Sequence, residues 1–158
     1  MMTSTVGTVA KTAATYVTQS MTTAIVPSLK ETSGTIYRLL SGLYTYKNEV
    51  AISLKSMDLE ARVKVIKALV IDLESLPSLN SLSVACVLLN ETMSELLMQL
   101  QTLATINHKY SHTLFGSWLY DTALQNKGDD IYRLNDVLEK RLQMVIKILP
   151  LAFNRNSL

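Results

Sequence analysis

The sequence predicts an all-α protein. Its expected form is an antiparallel four-helix bundle, with an N-terminal arm and a short extra helix in the connection spanning residues 108–127. Three observations lead there. Apolar residues recur every three or four positions along four segments, the spacing that lines one face of a helix. Most joints between those segments are short, which suits antiparallel neighbours. No alternating apolar–polar run bounded by turn residues argues for a sheet.

Residues 1–28 form the arm. Up to Pro27 they are rich in Thr and Ala, with Lys11 the only charge. Val6, Val9, Ala13, Val17, Met21 and Ala24 keep a helical period, while the many threonines lower helix propensity and tolerate extended backbone. An arm that orders against a partner fits this mixture. The bundle is expected over residues 29–150. Its first helix starts near Ser28 and carries Ile36, Leu39, Leu40, Leu43, Lys47 and Val50 on one stripe. Asp58 is placed to cap the second, with Leu59, Val63, Ile66, Leu69, Val70 and Leu73 inward and Pro77 ending it. Asn80 or Ser81 opens a long third helix bearing Leu82, Ala85, Leu89, Met93, Leu96, Leu100 and Leu103. In the connection that follows, Ser111 is placed to cap the short extra helix, which presents Leu114, Phe115, Trp118 and Leu119. Gly128 then breaks the chain, and Asp129 or Asp130 caps a fourth helix with Ile131, Leu134, Leu138, Leu142, Val145 and Leu149 inward. Pro150 stops it, leaving residues 151–158 as a tail.

Composition narrows the class of function. Of 158 residues, 48% are hydrophobic and 18% charged, against about a quarter charged in an ordinary soluble domain. The mean hydropathy of +0.20 agrees. Excess apolar surface of this kind goes to a membrane or to partner chains. A spanning helix needs about 20 mostly apolar residues, and Asp72, Glu74, Asn90, Glu91 and Glu95 interrupt the best runs, so protein partners or self-association are expected. The N-terminus lacks a secretion-signal pattern, which points to an intracellular protein. Cys86 is the single cysteine, in an apolar helical context where an inert buried thiol is expected. A net charge of +2 does not call for nucleic acid.

No catalytic, cofactor-binding or metal-binding set is predicted. His108 and His112, the two histidines of the chain, stand one helical turn apart in "HKYSH". A metal needs three or four ligands, so Asp121 or Asp129 would have to join them. Where a zinc-protease helix places its Glu, this chain has Lys109. The pair is therefore expected to mark a helix end. Glu91 and Glu95 share a face, as solvated or ion-paired residues. Neither Gly-rich phosphate loop pattern occurs. Arg133, Lys140 and Lys147 form a period-seven row, with Asp129 and Asp136 four residues before two of them, as in stabilising helix pairs. The aromatic residues Tyr37, Tyr44, Tyr110, Phe115, Trp118 and Tyr120 are the interface candidates, because Tyr and Trp bury area while keeping a polar handle. Capping the end of the bundle core is the competing role for Phe115 and Trp118.

The run "INHKYSHTLFGSWLYD", followed by a polar linker and "IYRLNDVLEKRLQMVIKIL", resembles small helical proteins of large nucleocytoplasmic DNA viruses. The resemblance spans residues 58–149. It implies a minor capsid or virion component, with major or minor capsid proteins as partners and assembly in the host cytoplasm, and it carries over no catalytic residue. The expected function is thus a non-enzymatic structural or assembly protein, with homo-oligomerisation open. Two other classes stand beside it: a metal- or small-ligand-binding enzyme built inside the bundle, and a peripheral membrane protein anchored by its N-terminal segment.

Overall fold

A computed structural model of the chain describes residues 24–46, 48–76, 79–111 and 118–156, without the side chains of 111, 118, 119, 155 and 156. All regular structure among these residues is helical: α1 (Val26–Leu43), α2 (Glu49–Ser56), α3 (Leu59–Glu74), α4 (Asn80–Ser111) and α5 (Trp118–Asn156). The arm expected over residues 1–28 lies outside the described residues up to residue 23.

Helix α1 begins one residue before Pro27, at a position where a missing backbone donor costs nothing. The expected single helix from Ser28 through Val50 is instead two helices. Thr45 donates its hydroxyl to the Gly42 carbonyl at 2.6 Å, and Asn48 turns to extended backbone with φ −120°. The Asn48 side chain then accepts from the Ala51 N–H at 2.9 Å, capping α2. Short polar side chains here offer the backbone partners that compete with a continuous helix. Lys47, expected on the apolar stripe, lies outside the described residues.

Asp58 occupies the N-cap position of α3 as expected, yet its side chain makes no capping hydrogen bond. It supplies backbone shape instead, with φ +58°, a left-handed conformation that Asp tolerates better than most residues. The Met57 carbonyl at this corner accepts from both Arg62 Nη1 and Asn135 Nδ2, each at 3.2 Å. The six inward residues expected of α3 are all buried, as are the seven expected of α4.

The end of the chain differs most from expectation. Helix α5 runs from Trp118 through Gly128 and Pro150 to Asn156, so neither residue ends a helix, and Asp129 and Asp130 lie inside one. A glycine inside a helix costs about 1 kcal/mol relative to Ala, less than the gain from burying Leu124 and Ile131 on either side of it. Proline removes one backbone donor rather than the helix, and beyond it Ala152 is fully buried. No separate short helix therefore stands between residues 118 and 127, since these form the first turns of α5.

Helix α5 packs most extensively on α4, while α1 packs on α3 and α4 and α2 bridges α3 and α5. Polar side chains tie the seams. Arg141 Nη1 donates to the Leu88 carbonyl at 2.8 Å and to Thr92 Oγ1 at 2.6 Å, joining α5 to α4. Arg62 Nε meets Glu139 Oε2 at 2.6 Å, joining α3 to α5. Lys30 reaches Glu74 at 3.4 Å, so the start of α1 lies beside the end of α3. The expectation that polar residues interrupt every long apolar run needs correction. Residues Asn80–Tyr110 of α4 are long and apolar enough to cross a membrane by length and composition. In this fold Leu82, Leu89, Met93, Leu96, Leu100 and Leu103 of that helix are fully buried in the core.

Candidate functional site

A cleft of about 490 Å³ opens where the start of α2, the end of α4 and the first turns of α5 meet. Asn48 organises one wall. Its carbonyl oxygen caps α2, and its Nδ2 donates to Asn107 Oδ1 at 2.8 Å, fixing the cap to α4. Asn107 is 1% exposed, and its own Nδ2 has no hydrogen-bond partner. One turn further along α4, Tyr110 lines the cleft, opposite Asp121 and Gln125 of α5. Glu49, the first residue of α2, adds a second carboxylate, and no basic side chain lines the cleft among the described residues. The arrangement presents hydrogen-bond acceptors and negative charge above an apolar base.

The interface candidates separate into distinct places. Tyr37 lies half-buried on α1, with the Lys67 and Lys64 ammonium groups 4.9 Å and 5.8 Å from its ring centre. Tyr44 holds Lys55 at 5.5 Å, and burial, then Glu60 and Asp58, push its phenol above the usual range. These two rings therefore meet lysines of α2 and α3 within the chain, where cation–π attraction is worth about 0.5–1 kcal/mol at such exposed sites. Tyr110 lines the cleft, and Tyr120 is half-buried beside Asp121. Trp118 begins α5, and Phe115 lies outside the described residues.

His108 is exposed on the last described turn of α4. His112 lies outside the described residues. No three of His, Cys, Asp and Glu come together as a metal-holding group among the described residues. Glu91 lies 3.9 Å from Arg141, and Lys140 pairs with Asp136 at 2.8 Å. Arg133 pairs with Asp130 at 2.6 Å rather than with Asp129. Cys86 is fully buried, and burial pushes its thiol up to about 11, so it stays protonated and unreactive at neutral pH.

The polar residues that matter most here carried no motif. Asn107 follows Leu100 and Leu103 on the buried stripe of α4, and Asn135 stands between Ile131 and Leu138 on that of α5. An amide on an apolar stripe was the available signal, because a buried amide demands partners. Compared with protein-family models, curated proteins and solved structures, the chain matches none.

Proposed function

We propose that the chain is a non-enzymatic structural or assembly protein, whose helices pack as an antiparallel bundle and whose outer faces meet other protein chains. The observation that carries this reading is the surface of α5. Val137, Met144 and Leu151 are exposed there at seven-residue intervals, Leu151 by 57%. Tyr132 and Phe153 are exposed on the same helix. Residues seven apart fall on one side of a helix, so the first three line one side of α5, with Lys140 and Lys147 between them. Self-association is the simplest use of such a stripe. A larger lattice is the other, and the likeness of residues 58–149 to small virion proteins names a capsid as that lattice. The virion part of the proposal rests on those residues alone.

The test is sedimentation of the full chain across a concentration series, beside the double variant Met144→Glu, Leu151→Glu. The native chain is expected to associate with rising concentration. The variant is expected to stay monomeric with an unchanged helical circular dichroism spectrum. A native chain that is monomeric throughout, or a variant that associates equally well, would remove α5 as the assembly surface.

A further inference from the structure

We infer that the joint outer face of α4 and α5 is a docking surface for a second copy of this chain, related to the first by a twofold axis along the α4–α5 seam. This rests on the assembly reading and deepens it, since it names the partner and the helix of the partner that α5 meets.

The two helices present one continuous face. Arg141 stands one turn from both Val137 and Met144, and it reaches across the seam to Glu91 at 3.9 Å. The apolar row of α5 therefore lies on the side of that helix nearest α4. On α4, Val84, Glu91 and Met98 are also spaced by seven residues, and all three are exposed. Exposed apolar side chains thus continue from one helix to the next, as they do at interaction surfaces.

Charge decides what covers this face. The α4 half carries Glu91 and Glu95, whereas the α5 half carries Lys140 and Lys147, and all four are exposed. Between Val84 and Met98, α4 has no basic residue. Between Val137 and Leu151, α5 has one acidic residue, Glu139, and that one is turned to Arg62 of α3. Glu95 and Lys147 have no ion-pair partner among the described residues. Lys140 meets Asp136 of its own helix and stays 73% exposed.

A partner of one charge sign, such as an anionic membrane, would match the α5 half and be repelled by the α4 half. Laying α5 against α5 of a second copy would set lysines against lysines. Rotation about the seam instead lays α4 of the second copy over α5, and its α5 over α4. Each acidic half then meets a basic half, and the contact is made twice, as an isologous interface requires. That rotation also preserves level along the helices. Glu91 lies level with Arg141 in its own chain, so it arrives level with Lys140 of the second copy. The apolar residues on either side are brought together out of water.

The experiment is sedimentation equilibrium of the full chain and of two charge variants, each checked for a native helical circular dichroism spectrum. Lys140→Glu, Lys147→Glu makes the whole face acidic. Glu91→Gln, Glu95→Lys makes it basic without setting a cation against Arg141. Each variant alone is expected to dimerise at least about tenfold more weakly than the native chain. An equimolar mixture of the two is expected to regain the dimer, as one acidic and one basic copy. Added sodium chloride is expected to shrink these differences. Two variants that associate as the native chain does overturn the inference, while leaving the apolar stripe of α5 as an assembly surface. Weakening of the acidic variant but not the basic one overturns it too, because α5 then meets something other than α4. A mixture that gains nothing over its components overturns the pairing of the two halves. A native chain that is monomeric throughout removes this inference and self-association together.

Discussion

Asn107 and Asn135 occupy equivalent kinds of position, each a buried amide on an apolar stripe of a long helix, yet their surroundings differ. Asn135 Oδ1 accepts from Arg62 at 2.6 Å, and its Nδ2 donates to the Met57 carbonyl. Arg62 also holds Glu139 and the same Met57 carbonyl, so the group closes on itself and fixes the left-handed corner at Asp58. The Asn107 side chain has one bond, from Asn48, and a buried donor with no partner. A closed network fastens helices together, whereas an open one leaves a buried donor unsatisfied at a desolvation cost. The same residue type thus joins helices in the middle of α5 and stays partly unsatisfied near the end of α4, and the difference lies in what its neighbours supply.

The closed network is the place of largest expected effect. Arg62→Ala removes the bonds to Glu139, Asn135 and Met57 together, and leaves a buried amide oxygen without its donor. Losing one member of a partly buried, charge-assisted set costs about 3 kcal/mol. Chemical denaturation is expected to show a lower midpoint with an unchanged slope. A loss below 1 kcal/mol would mean that the network holds the corner no better than water does, and the contrast between the two asparagines would collapse.

A middle-sized effect is expected at Asn48, which joins the open amide to the rest of the fold. Asn48→Ala deletes the cap of α2 and the donor to Asn107 Oδ1. A lost cap costs about 1 kcal/mol and an orphaned buried acceptor about the same again, so about 2 kcal/mol is expected in denaturation. Asn48→Asp keeps the cap oxygen and loses only the donor, so it is expected to recover about half of the loss. Equal losses in the two variants would show that the Asn48–Asn107 bond, and not the cap, is what counts.

Both networks were hard to read from sequence for the same physical reason. The inward stripes of α3 and α4 were legible, because burial of Leu, Ile and Val follows helical period whatever the tertiary arrangement. Gly128 and Pro150 misled because local propensity was weighed without the packing that overrides it, on either side of Gly128 at Leu124 and Ile131. The Asn48 cap is hidden in sequence because the apolar stripe before it continues in period through to Val50. The cleft was invisible in sequence for a different reason. Glu49, Tyr110 and Asp121 come from three helices, and only the packing brings them around one space.

The smallest effect is expected at Asn107 itself, and it separates the two amides most sharply. Asn107→Leu is close to isosteric and removes a buried donor that has no partner, which relieves a desolvation cost of about 1–3 kcal/mol. Against this, Asn48 Nδ2 loses its acceptor, but Asn48 is only half-buried and can turn to water. The two terms nearly cancel, so stability is expected to stay within about 1 kcal/mol of the native chain or to rise. The matching change Asn135→Leu strands both Arg62 and the Met57 carbonyl, and is expected to cost at least about 2 kcal/mol. Measured side by side in denaturant, the pair tests openness directly. If Asn107→Leu proves as costly as Asn135→Leu, its donor is already engaged in the free protein, and the distinction between a closed and an open amide fails at its root.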